Sequence, residues 1–129
     1  MQKCEQFYIN GQWVEPVERR TLEVINPATE KPIATISLGS AADVDKACKA
    51  ARAAFPAFAR TTRAERIALL ERIIAGYKAR YDEFAGAISQ EMGAPITLAT
   101  RAQAAMAVAH FGQALEVLKT FVFEEDIGR

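Results

Sequence analysis

Apolar residues recur at steps of three and four between Thr62 and Pro95, and this pattern predicts the longest element of the chain. Ile67, Leu70, Ile74, Tyr77, Tyr81, Phe84, Ile88 and Met92 fall on one helical stripe, with Arg66, Glu71, Arg72, Lys78, Arg80, Asp82 and Glu83 on the other face. Thr62-Arg63-Ala64-Glu65 reads as a capping box at the start. Gly93, with Pro95 two residues later, marks the end. The pattern therefore predicts one helix over 63–92, roughly 45 Å long at 1.5 Å per residue. Gly76 in its middle is either tolerated or marks a close backbone approach.

Before this helix the period is shorter. Phe7-Tyr8-Ile9 and Trp13-Val14 flank Asn10-Gly11-Gln12, a hairpin signal in which both turn residues accept positive φ. A second strand pair is predicted from Thr21–Ile25 and Ile33–Leu38, around the turn-rich Asn26–Pro32, so that the hairpins together occupy about 7–38. Ser40 with Asp43 three residues on opens a helix over about 41–55. Its apolar face is read as Val44, Ala47, Cys48, Ala51 and Phe55, with Pro56 ending it. After Pro95, which suits a first helical turn, a third helix is predicted over about 96–122. Leu98, Ala102, Ala105, Met106, Ala109, Leu115 and Leu118 are expected on its apolar side. The expected fold is thus α+β: two N-terminal β-hairpins followed by three α-helices.

Composition narrows the function classes. The chain has 129 residues, half of them hydrophobic, with 16 basic and 16 acidic side chains. A net charge of zero gives no basic bias toward nucleic acid. No apolar run approaches the ~18 residues of a membrane span, and the N-terminus lacks the apolar core of a signal peptide. Cys4 and Cys48 have no metal-ligand spacing and are read as free thiols of a reducing cytoplasm, Cys48 as a small buried hydrophobe. His110, the only histidine, has no cysteine, serine or carboxylate at a catalytic spacing. Taken by themselves, the residues contain no glycine-rich phosphate loop, no Cys–His pair and no zinc motif.

Five short motifs carry a resemblance. Tyr8-Ile9-Asn10-Gly11-Gln12-Trp13-Val14, Val24-Ile25-Asn26-Pro27-Ala28-Thr29, Ala53-Ala54-Phe55, Arg63-Ala64-Glu65-Arg66 and Glu91-Met92-Gly93-Ala94-Pro95 stand in this order along the whole chain. Together they resemble the N-terminal part of the NAD(P)-dependent aldehyde dehydrogenases. The resemblance implies that the hairpins and helices form the outer layer of an α/β Rossmann-like cofactor domain. It implies an enzyme that oxidises an aldehyde to a carboxylic acid with NAD or NADP, on a small aldehyde substrate, as a cytoplasmic homo-oligomer. The family's nucleophilic cysteine, general-base glutamate and cofactor-phosphate loop would lie beyond Arg129, so the chain itself is expected to be inactive, with no catalytic or cofactor-binding residue. The resemblance also implies a possible monovalent cation held by the Glu91 carboxylate, carbonyls of the strand end at Val24-Ile25 and a carbonyl from later in the enzyme, so that the site is expected to be incomplete in this chain, with the Glu91 carboxylate close to the Ile25 carbonyl. It implies as well a substrate tunnel lined by Ala102, Gln103 and Met106. Two positions depart from the family pattern: Glu30 stands where glycine is common, and Ala94 where lysine is.

Three functional readings are compatible with the sequence. The chain is a segment of such an enzyme, a non-catalytic interaction module that binds through exposed apolar helix faces, or a free-standing thiol enzyme using Cys48.

Overall fold

A computed structural model describes residues 1–128. The element order is β1 (Gln2–Cys4), β2 (Phe7–Ile9), β3 (Gln12–Val14), β4 (Thr21–Asn26), β5 (Lys31–Ser37), α1 (Ala41–Phe58), α2 (Arg63–Ala79), α3 (Tyr81–Met92), α4 (Ile96–Leu98), a π turn (Ala99–Gln103) and α5 (Ala104–Thr120). The chain divides into two compact units, one of Met1–Arg60 with Ser89–Ala94, the other of Thr61–Ile88 with the residues from Pro95 on.

In the first unit, β2 and β3 form the expected hairpin, with Tyr8 opposite Trp13. Asn10 at φ 53° and Gly11 at φ 77° supply the turn, whose twist matches that of the strands. β4 and β5 pair antiparallel as expected. A strand missed in the sequence, β1, adds to the other side of β5 in parallel, giving the order β1-β5-β4. Gln2-Lys3-Cys4 is exposed throughout, so no apolar alternation announces it. Its successor Glu5 secures it, accepting from Ser37 Oγ through its carbonyl at 2.6 Å and from Thr35 Oγ1 through its carboxylate at 2.9 Å. In the β4–β5 turn the Asn26 carbonyl accepts from the N–H groups of Thr29 and Glu30. Glu30 there sits at φ 56°, where a residue with a Cβ costs about 1–2 kcal/mol.

The start of α1 is the capping box read from Ser40 and Asp43, and the Asp43 carboxylate also accepts from Val17 N–H at 3.0 Å. Two expectations for α1 fail. The helix passes Pro56 and ends at Phe58; so near the end, proline removes a single N–H, and Ala59 N–H still reaches Phe55 O at 2.8 Å. Its predicted apolar face, Val44, Ala47, Cys48, Ala51 and Phe55, is also exposed rather than buried. Ala47, Ala50, Ala51 and Ala54 border the hollow over Tyr8–Gly11. Cys48 is therefore not the buried hydrophobe expected.

In the second unit the long helix is broken. α2 begins with the Thr62–Glu65 capping box, but Arg80 adopts φ −115°, ψ 20° and separates α2 from α3. Packing supplies the reason. The rings of Tyr77 and Phe84 stack with centroids 4.2 Å apart, although seven residues of straight helix rise about 10 Å. The break brings the rings together, and Arg80 bridges it, its guanidinium donating to Glu83 at 2.8 Å and lying over the Phe84 ring. Gly76 has no atom within 4 Å of a built Cβ, so it is a tolerated glycine.

The third helix runs from Ile96 to Thr120, two residues short of the expected end, and contains the π turn. α5 packs on α2, and the Arg63 guanidinium donates to the carbonyls of Lys119 and Phe121 at its end. Ala99 and Ala104 are fully buried and Leu115 nearly so. The predicted face is right for Leu115 and the half-buried Ala105 and Leu118, and wrong for Leu98, Ala102, Met106 and Ala109, which are exposed. Ala99 and Ala104 are five residues apart, about 140° around a regular helix; the five-residue turn brings both inward.

Candidate functional site

Glu91 occupies the last turn of α3, where unpaired carbonyls carry partial negative charge. It is exposed, as is Ile25 near the end of β4. Two residues beyond each, the backbones meet: Gly93, at φ 69°, is so close to the β4–β5 turn that a Cβ on it would lie 2.7 Å from Pro27 Cγ and 3.6 Å from Ala28 N. Ser89 Oγ donates to Ala94 O at 2.7 Å and closes the same corner. No cluster of three His, Cys, Asp or Glu side chains suited to a metal exists among the described residues.

Ala102 and Gln103 lie in the π turn and Met106 in the first turn of α5. Ala102 and Met106 face outward, Met106 with 53% of its surface exposed, and Gln103 is half-buried. Two tyrosines not singled out as functional in the sequence meet this segment: Tyr77 Oη donates to Ala104 O at 3.0 Å and Tyr81 Oη to Thr100 O at 2.5 Å. Their four-residue spacing placed them on the core stripe, and nothing local marked them as hydrogen-bond donors to a distant helix.

The N-cap N–H groups of α1 and α2 are already taken. Phosphates are held by free N–H groups at a helix start or in a glycine-rich loop. At α1 the Asp43 carboxylate takes the Ser40 N–H at 2.9 Å, and at α2 the Glu65 carboxylate takes the Thr62 N–H at 2.7 Å. Hydrogen bonds from the backbone and then the hydroxyl of Ser40 hold the Asp43 carboxyl below its ordinary value of 3.8. Those of Thr62 hold Glu65 below 4.5. Both helix starts thus carry their own anion. A hollow of about 390 Å³ in the first unit is lined by Phe7, Tyr8, Ile9, Asp43, Val44 and Ala47, with no cysteine, serine or histidine in its lining. Cys4, Cys48 and His110 are all exposed.

The aldehyde dehydrogenase family model matches residues 13–126. The chain belongs to the aldehyde dehydrogenase family. The 3-succinoylsemialdehyde-pyridine dehydrogenase of a Pseudomonas species is 46% identical over 129 residues, covering 99% of this chain and 27% of that enzyme. An aldehyde dehydrogenase crystal structure from Bartonella henselae superposes with a TM-score of 0.96 at 42% identity, over 98% of this chain and 27% of that one. Aldehyde dehydrogenase C of Pseudomonas syringae, solved as a mutant with NAD+ and octanal, gives 0.94 at 41% identity, over 97% of this chain and 26% of that one. This aldehyde dehydrogenase chain thus spans about a quarter of the length of the relatives it matches, and its α+β architecture is that of their N-terminal portion.

Proposed function

We propose that this chain is the N-terminal segment of an oxidoreductase that oxidises a small aldehyde to its carboxylic acid with NAD or NADP, and that it is inactive alone. The observation that carries the reading is the family match over 13–126 at only 27% coverage of a close relative. The unfinished core agrees with it. Among the described residues the buried hydrophobics are only Ala85, Ala99, Ala104 and Leu115, while Trp13, Phe55, Met92, Met106 and Phe123 are more than half exposed. Apolar surface on this scale calls for a cover, which the rest of a cofactor-binding domain would supply. The nucleophile and the dinucleotide site belong to that remainder. The Pseudomonas syringae relative was solved with NAD+ and octanal, which supports a nicotinamide cofactor and an aldehyde substrate here.

In the complete enzyme, which we place in the cytoplasm as a homo-oligomer, Ala102, Gln103 and Met106 line the substrate tunnel. The outward position of Ala102 and Met106 in this chain leaves them available for it. Glu91 and the Ile25 carbonyl contribute to a monovalent cation site, since a hard cation takes oxygen donors and relieves the repulsion between a carboxylate and a helix C-terminus. The exposed apolar faces equally favour a second reading, a non-catalytic module that docks on another protein. An intact-mass measurement on protein from the natural source separates the two. A several-hundred-residue chain that reduces NAD or NADP with an aldehyde supports the enzyme; a stable natural product of this length without that activity supports the module.

A further inference from the structure

The π turn leaves one backbone carbonyl without its helical donor. Ala104 N–H bonds to Ala99 O, five residues back. A return to the four-residue register then skips the carbonyl of Thr100. Thr100 is half-buried, and a carbonyl sheltered from water needs a partner. The structure provides one from another helix: Tyr81 Oη, 2.5 Å away. Tyr77, one turn before, donates instead to Ala104 O, a carbonyl inside the regular part of α5. Tyr81 is thus the donor matched to the irregularity.

We infer that the Tyr81 hydroxyl holds this helix in its π register and so positions Met106 and Ala102 at the substrate tunnel. The inference rests on the tunnel reading proposed above. Without the donor, relaxation to a regular helix turns the segment after Gln103 by one residue, about 100° relative to what precedes it. That moves Met106 around the helix and takes Ala104 off the buried face. Tyr81 is therefore a positioning residue that touches neither substrate nor cofactor. It sets selectivity between aldehydes through the face the helix presents.

The test uses the complete enzyme with Tyr81→Phe, Tyr77→Phe and Met106→Trp, kcat and KM for a small and a bulky aldehyde, and hydrogen exchange of amides 104–108. Tyr81→Phe is expected to change the ratio of kcat/KM values by about fivefold or more, through KM rather than kcat, and to speed exchange at 104–108. Tyr77→Phe is expected to leave the ratio and the exchange near wild type. A Met106→Trp change without a Tyr81→Phe change overturns the role of Tyr81 and leaves the tunnel reading standing. A Tyr81→Phe change without a Met106→Trp change overturns the route through Met106. Equal effects of the two tyrosine variants overturn the match to the π turn, as does unaltered exchange in Tyr81→Phe.

Discussion

Replacing Gly93 by alanine tests the corner that joins the end of α3 to the β4–β5 turn. Two costs add. At φ 69° a side chain costs about 1–2 kcal/mol. The new Cβ would also lie 2.7 Å from Pro27 Cγ, and relief of such overpacking costs about 1–3 kcal/mol. Alanine recovers ~0.5 kcal/mol by restricting the unfolded chain. The expected net loss is about 2–4 kcal/mol. Urea titration of the chain, followed by circular dichroism, reads it as a fall in midpoint at unchanged slope. In a Pro27→Ala background the clash is gone, and only the conformational cost remains, about 1–2 kcal/mol. Gly76→Ala, in open space within α2, gives the opposite sign and stabilises by up to about 1 kcal/mol. The reasoning fails if Gly93→Ala costs less than about 1 kcal/mol, or costs the same with and without Pro27.

The capping carboxylates make stability depend on acid. Asp43 and Glu65 are held below their ordinary values of 3.8 and 4.5, so they bind protons more readily unfolded than folded. Their contribution is full above those ordinary values and is lost as pH falls through the lowered ones. A melting-temperature series on acidification should fall in that window, less steeply for Ser40→Ala with Thr62→Ala; parallel curves refute it. The isolated chain should self-associate through its uncovered apolar faces, and light scattering from a compact monomer over a wide concentration range would contradict this. In the complete enzyme, Glu91→Gln should abolish any dependence of thermal stability on monovalent cations, and an unchanged potassium response would remove Glu91 from the site.

Local chemistry was readable in the sequence. Asn10-Gly11, Ser40 with Asp43, Thr62 with Glu65, and Gly93 before Pro95 each act within a few residues, and each stands where its type predicts. What escaped was set by distant partners. β1 exists through parallel pairing with a strand some thirty residues on. The break at Arg80 follows from the stacking of Tyr77 on Phe84. The π turn hides among alanines, where the five-residue spacing of Ala99 and Ala104 gives no signal against their neighbours. Glu91, Ile25, Ala102, Gln103 and Met106 came from family resemblance rather than from local chemistry, and their roles remain proposals.

The central claim, that this chain is an aldehyde dehydrogenase segment without its own catalytic centre, meets its most direct test in a turnover assay. The purified chain is incubated with NAD and NADP and a panel of small and bulky aldehydes, and reduced nicotinamide is followed by absorbance. The account predicts no turnover with any pair. Reproducible turnover that disappears in Cys48→Ser would contradict it and make this chain a free-standing thiol enzyme.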